Sequence, residues 1–532
     1  MNALTVLFGG GLTAKALENV FDGKNSLSMA LERGAAFPGA SKTVLLINDD
    51  FSGPLPVLSP HFEVKKMAKW SKKALLEALS NLGAGFDCTY YAWADCPFLD
   101  PALAGAIADR HLRYAAEYSY ADGWPYGFAP EILAPGTAGI LAKILGDDDG
   151  KVERDTLFAV LQKDINAFDI ETEISPVDLR SHRISLQADS KRNLLLLTNF
   201  VQAAEEVSGE PGTIPTAALA AAIIEKKPEI LRTLPNFYPV QVSGGCPQAC
   251  SMCPYPQIAG NVTKNHAFMD AVQFEKLLEK ISAFSDDAVI DLSLWGELSL
   301  HPGRMELIRM TLARPNLALI IETSGIGWKN GEAEEAAALA KEAIDTGGRT
   351  SPLPPLSWIV SLDTADSQRY REVRGPGFAE AVDFAKKLFT LFPNDAYVQA
   401  VRTAGAEDDI EKFYRSWKEA APGSKNVIIQ KYDDFCGALL KKQASDISPV
   451  IRQPCWHIMR DFPVLIDGRV PLCREDIKAL KGEGDGSIAA GILGNAFTED
   501  LAAIWQRGKP YYQKQCEKHY TGLCAGCDEY YT

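Results

Sequence analysis

The 532-residue chain predicts an α/β protein of several domains. Length is the first reason, since about 150 residues per domain gives three or four domains. Composition is the second: 46% hydrophobic and 23% charged residues is ordinary globular usage, enough to build several cores. Alternation is the third. The β-rich segments VQVSG, AVIDLSLWG, LALIIETSG, SWIVSLD, AYVQAVR and NVIIQKY are separated by stretches long enough for helices. Strands joined by helical crossovers form a parallel sheet, either a partial or a closed barrel, with chemistry at the carboxyl ends of the strands.

Taken in order, residues 1–200 open with a short apolar strand and a glycine turn, LTVLFGGGL, and continue through TVLLINDD and YYAWADCPFLDP as an α/β domain. Residues 201–235 are Ala-rich and helical and end in the turn-forming PNFYP, which suggests a connector. Residues 236–444 carry the six strands. Within them FEKLLEKISAF places Phe274, Leu277, Leu278 and Ile281 on one helical face. Residues 445–532 bear cysteines and little regular pattern beyond a helix at EDLAAIWQRG.

The net charge of −15 repels polyanions, so nucleic acid is not an expected partner. No apolar run reaches the 18 or so residues of a membrane span, and MNALTVLFGGGL has neither the basic region nor the cleavage site of a signal peptide. The expected compartment is the cytoplasm, where disulfides rarely persist and clustered thiols suggest metal. Cys88, Cys96 and Cys436 are scattered. Cys246, Cys250 and Cys253 are bunched, as are Cys516, Cys524 and Cys527, with Cys455 and Cys473 upstream.

The first bunch is CxxxCxxC, in GGCPQACSMCPYP directly after the first strand of the 236–444 region. A structural zinc site closes with four protein ligands, whereas three thiolates on a four-iron cluster leave one iron open to a small molecule. A zinc knuckle or ferredoxin-type site borrowing His266 or Cys436 is the alternative.

The motif resembles the signature of the radical S-adenosylmethionine (SAM) superfamily, and the resemblance runs over roughly residues 236–440. It implies a partial (β/α)6 TIM-like barrel and a 4Fe-4S cluster on Cys246, Cys250 and Cys253. The open iron would chelate SAM, whose reductive cleavage gives a 5′-deoxyadenosyl radical that takes hydrogen from a substrate. Met252 stands where the family usually has an aromatic residue near the adenine. LSLWGELSLHP resembles the GGEP element, with Trp295 in place of the first glycine, Gly296 retained and Glu297 placed to accept from the SAM ammonium. By the same resemblance Thr323 and Ser324 reach the ribose and carboxylate, Ser361 and Asp363 face the cavity, and Arg374 pairs with a carboxylate. Gln399 and Arg402 suit the fifth strand, and Gln430 and Lys431 the sixth. Isolated polar residues at strand ends also serve as loop anchors.

Four later thiols, Cys455, Cys473, Cys524 and Cys527, suffice for a second 4Fe-4S cluster or for a structural zinc. Their order, with Gly468 ahead of Cys473, a Gly494–Asn495 pair, an Ile504–Trp505 pair and a final CxxC, resembles the SPASM/twitch extension. The full seven-cysteine SPASM pattern is missing, so one auxiliary cluster is expected, with Cys516 as a spare.

At the amino terminus FGGGL, Lys24, Asp95 in WADCPFLDP and Glu131 in YGFAPEIL resemble a Rossmann-like, GT-A-type nucleotidyltransferase, particularly cytidylyltransferases that activate acidic sugars. Asp95 is there expected to hold Mg²⁺ beside a nucleotide. The basic residue that usually follows the glycine turn is missing unless Lys15 serves, and the region of RISLQADSKRNL, expected as a later strand, keeps little of the acidic pattern. A noncatalytic fold that binds a nucleotide-linked group is the other reading.

The expected function is therefore a radical SAM enzyme with one auxiliary cluster, acting on a peptide, a protein or a nucleotide-linked sugar. It would need a low-potential electron donor such as flavodoxin or ferredoxin. Alternatives are a CTP-dependent nucleotidyltransferase with iron–sulfur appendages and a zinc-binding interaction protein.

Overall fold

The computed structural model describes residues 1–21, 23–55, 62–260, 265–421, 423–445, 452–481 and 491–527. Contacts divide the chain into two units, Met1–Thr233 and Leu234–Thr532.

In the first unit the opening apolar run becomes β1 (Ala3–Gly9), buried along its whole length. There follow β2 (Asn19–Phe21), β3 (Lys24–Asn25), β4 (Ala40–Asn48), β5 (Phe62–Met67), β6 (Cys88–Trp93), β7 (Tyr118–Asp122), β8 (Glu131–Leu133) and β9 (Ile170–Ile174). Seven of these form one sheet in the order β5-β4-β1-β6-β8-β7-β9, while β2 and β3 pair separately. Only β8 runs antiparallel to its neighbours. Helices start where capping residues predict. Ser71 accepts from Ala74 N ahead of Lys72–Gly83, and Asp100 precedes Pro101 at the start of Pro101–Arg113. The strand expected near RISLQADSKRNL does not form: residues 183–190 are irregular, with one isolated bridge from Ser185 to Tyr126, and the helix Lys191–Ser208 follows, capped by Ser190, which accepts from Asn193 N. This helix and Ala217–Lys226 both fall in the first unit, so the stretch expected as a connector begins inside a helix.

The second unit is built on β10 (Phe237–Pro239), β11 (Val289–Asp291), β12 (Ala318–Thr323), β13 (Leu356–Ser361), β14 (Ala396–Arg402) and β15 (Val427–Lys431). Their spatial order equals their chain order, and every neighbouring pair is parallel. With β10 and β15 as its edges the sheet is an open (β/α)6 partial barrel rather than a closed one. The helix Ala271–Phe284 buries Phe274, Leu277, Leu278 and Ile281, the face read from its periodicity, and Asp270 caps it. β10 ends before VQVSG, which was expected to be the strand. Past Val240 the chain leaves the sheet and turns through Gly244 and Gly245 into the cysteine loop.

The cysteine-bearing region after residue 445 packs into this unit. It bridges the free side of β10 at Phe237–Asp461 and Val240–Val464. Its Phe462, Val464, Ile504 and Trp505 join the core that holds Tyr238 and Ile290. β16 (Arg469–Pro471) and β17 (Ile492–Asn495) form a small antiparallel pair there. Among the described residues, no helix is long and apolar enough to cross a membrane.

Candidate active site

The carboxyl ends of the six parallel strands open into a cavity of about 390 Å³. Cys246, Cys250 and Cys253 line one side of it, on the loop after β10. That loop is fixed by hydrogen bonds, two within it and one to the end of the helix Ser367–Val373. Tyr255 donates to Gly244 O at 2.7 Å, Ser251 N to Val373 O at 2.8 Å and Cys253 N to Cys250 O at 3.1 Å. Burial pushes all three thiols up, Cys253 to about 12. These half-buried thiols must lose their protons before they can bind a metal.

Opposite the thiols stands Glu297, only 4% exposed. Thr323 Oγ1 donates to its Oε1 at 2.6 Å and Ser324 N to its Oε2 at 2.8 Å. Burial raises its pKa, while these bonds oppose the rise. Its own N donates to Gly245 O at 2.8 Å, tying the glutamate to the cysteine loop. Gly296 makes that approach possible, because a Cβ there would lie 2.0 Å from Ser243 O. Trp295, in the position of the absent first glycine, keeps a left-handed φ of 46°. Its ring packs on Tyr255 and on Phe435, at centroid distances of 6.2 and 5.4 Å. Those contacts offset a conformation that costs a non-glycine residue roughly 1–3 kcal/mol.

Arg374 is buried and doubly held, by Asp363 Oδ2 and by Gln248 Oε1 at 3.0 Å. Gln248 Nε2 in turn donates to Tyr370 Oη at 2.7 Å. Asp363 therefore lies behind Arg374, with its other oxygen on Val401 N at 2.8 Å, and is not part of the cavity wall. Ser361 and Gln399, side by side on β13 and β14, both donate to Glu322 Oε1. Met252, Gly296, Thr323, Ser324, Gln430 and Lys431 also line the cavity. Arg402 does not; it donates to Ser445 O at 2.9 Å.

Sequence reasoning passed over Glu322, Asp291, Gln248 and Arg474. Glu322 sits one residue before Thr323 in IIETSG and points into the same cavity, a signal that was present but unread. Burial lifts the Asp291 carboxyl to about 6. Arg474, beside Cys473, reaches this cavity only through tertiary packing.

A second cavity in the same unit is lined by Cys455, Cys473, Cys524 and Cys527, with Cys436, His457 and Gln515. Gln515 organises it, accepting from Cys455 N at 2.8 Å and donating to Cys524 Sγ at 3.3 Å. Cys516 is not in its wall. None of the eleven cysteines is in a disulfide. Among the described residues no three His, Cys, Asp or Glu side chains converge tightly enough to share one metal ion.

In the first unit Asp95 is 4% exposed, and both its oxygens accept from Arg154, at 2.7 and 2.6 Å. The guanidinium lies 3.9 Å over Trp93 and 3.8 Å from Asp189. Lys15 and Lys24 are each paired with a glutamate, Glu18 and Glu32, at 2.6 Å. Glu131 accepts from Tyr118 Oη, and burial raises its carboxyl to about 7.

Residues 240–415 match the family model described as the Radical SAM superfamily. Over 383 residues the chain is 34% identical to a protein of Treponema pallidum (strain Nichols) known only as "Uncharacterized protein", covering 71% of this chain and 98% of that one. The chain carries a radical SAM domain over residues 240–415. It is a radical SAM enzyme, and its second unit has a parallel-sheet fold. A second Treponema pallidum protein, likewise "Uncharacterized protein", is 37% identical over 68 residues, which cover 13% of this chain and 31% of that protein. Among solved structures, BtrN in complex with AdoMet and 2-DOIA is 18% identical, covering 56% of this chain and 94% of its own, with a TM-score of 0.35. Streptococcus suis SuiB bound to precursor peptide SuiA is 15% identical, covering 58% and 72%, with a TM-score of 0.41. A cytidylyltransferase from Leptospira borgpetersenii is 16% identical, covering 43% of this chain and 95% of its own, with a TM-score of 0.33.

Proposed function

We propose that this radical SAM enzyme holds its catalytic 4Fe-4S cluster on Cys246, Cys250 and Cys253 and binds SAM in the 390 Å³ cavity. The observation that carries this reading is three half-buried thiols and the buried Glu297 facing one cavity, linked by the bond from Glu297 N to Gly245 O. The donor set fits the group: three sulfurs from one loop, with no fourth protein ligand for the last iron named by the motif. When bound, the cluster and SAM supply one-electron cleavage of the sulfonium and a carbon radical that abstracts hydrogen.

The chain's own residues bind and orient. Glu297, already fixed by Thr323 and Ser324, would accept from the SAM ammonium. Arg374, its charge secured by Asp363, pairs with the SAM carboxylate. Met252 supplies an apolar contact for the adenine. Ser361 and Gln399 are turned toward Glu322, so the three act as one polar patch in the wall toward ribose or substrate. A one-electron reductant is required, and flavodoxin or ferredoxin meets that need.

The second cavity is assigned to one auxiliary 4Fe-4S cluster, with Cys455, Cys473, Cys524 and Cys527 as ligands in a SPASM/twitch-type domain. For the amino-terminal unit, Mg²⁺ at Asp95 does not fit the residues as they stand: Arg154 takes both carboxylate oxygens, and Trp93 backs the guanidinium. We therefore read that unit as a binding module of nucleotidyltransferase ancestry and derive no metal-dependent transfer from it. A nucleotide-linked sugar, a peptide or a protein remains the class of substrate.

Anaerobic reconstitution with iron and sulfide is expected to give about eight irons per chain, two four-iron clusters. The reduced enzyme is expected to release 5′-deoxyadenosine from SAM, and Cys250→Ala to abolish that release. Release from Cys250→Ala at the wild-type rate would overturn the assignment. Pyrophosphate release from CTP that depends on Asp95 would restore the transferase reading.

A further inference from the structure

Cys436, which stands alone in the sequence, is brought by the fold to the second cavity, making five thiols where a four-iron cluster has four corners. Its backbone lies against the chain just before Cys527, since a Cβ on Gly526 would stand 3.8 Å from Cys436 O, and both cysteines line the same cavity, so the two thiols are neighbours there. The loop that delivers it is held under strain. Phe435, Cys436 and Gly437 are consecutive left-handed residues, with φ of 51°, 55° and 82°. Two of the three have side chains, and each costs roughly 1–3 kcal/mol unless its surroundings fix it.

Here they are fixed. Asp433 Oδ1 accepts from Phe435 N at 2.6 Å, and the buried Asp434 accepts from Gly437 N at 2.8 Å and Leu439 N at 2.9 Å. The effect is to turn adjacent side chains into different cavities. Phe435 lines the central cavity and packs on Trp295, while Cys436 lines the cysteine cavity. Glu475 lines both.

We propose that Cys436 and Cys527 are interchangeable ligands for one corner of the auxiliary cluster, with Cys455, Cys473 and Cys524 holding the other three. Ligation by Cys436 would tie the cluster to the loop that forms the central cavity wall. Ligation by Cys527 would leave that loop unattached. The proposal rests on the auxiliary-cluster reading above and deepens it.

Iron counting on the anaerobically reconstituted full chain tests it. Cys436→Ala and Cys527→Ala should each keep about eight irons per chain, and the double variant should fall to about four. The change that SAM produces in the electron paramagnetic resonance signal of the central cluster reports, in every variant, that the unit is folded. A fall to about four irons in either single variant would overturn the proposal, as would about eight in the double. Cys524→Ala, with no substitute thiol, should fall to about four by itself. Wild-type protein with about four irons would instead remove the auxiliary cluster, a failure distinct from that of the shared corner.

Discussion

Gly296→Ala tests the closest backbone approach in the site. The glycine is not in a left-handed conformation, so the substitution adds only a methyl group. That methyl would stand 2.0 Å from Ser243 O and 2.9 Å from Ser243 C, where ordinary contact begins at 3.4 Å. Neither neighbour is a side chain that can swing away, so one backbone must retreat by about 1 Å, at a cost of roughly 1–3 kcal/mol. Ser243 leads into the cysteine loop and Gly296 into Glu297, so the retreat separates the thiols from the carboxylate. A misplacement of about 1 Å costs on the order of 100-fold in rate. The assay is 5′-deoxyadenosine release by the reconstituted, reduced enzyme, with SAM affinity by calorimetry and thermal melting of the metal-free protein alongside. A variant within twofold of wild type in both release and affinity would refute the reasoning.

Glu297→Gln retains one acceptor where two donors, Thr323 Oγ1 and Ser324 N, now bind, and loses the charge. SAM affinity should fall about 10–100-fold, the worth of a charged hydrogen bond, with melting nearly unchanged. Asp363→Asn uncouples the buried Arg374 and should destabilise the second unit by about 3–5 kcal/mol in urea. Arg154→Met leaves the Asp95 carboxylate buried and uncompensated, with a loss of similar size in the first unit. The Arg154→Met, Asp95→Asn double variant should recover most of it. Asp291 titrates near 6 when folded, above the value of about 3.9 expected when unfolded. The unfolded state therefore binds fewer protons between those values, and the stability of the metal-free protein should fall as pH rises through that window. Asp291→Asn should flatten the slope and gain up to about 3 kcal/mol at pH 7, read from denaturation at pH 4, 5, 6 and 7.

The sheet of the second unit was legible because a parallel strand buried on both faces is an apolar run, and helices of matching length must separate such runs. The motif at Cys246, Cys250 and Cys253 was legible because its three residues share one loop, so spacing is geometry. Gln248 was not. It looks like filler inside CPQAC until the fold sets it between Tyr370 and Arg374, more than a hundred residues away in sequence. Asp363 shows the opposite error, since a polar residue at a strand end read as cavity-facing is spent on Arg374.

Sequence by itself determined the repeating strand–helix order, the buried face of Ala271–Phe284 and the grouping of the first three thiols, because each depends on neighbours within a few turns of chain. Tertiary structure alone decided that Cys436 joins Cys527 in one cavity wall, that Arg154 neutralises Asp95, and that Arg474 and Glu322 share a wall. Those pairings join positions whose separation along the chain carries no periodicity. They form only when packing has removed water and left each charge or thiol with whatever partner the opposite element brings.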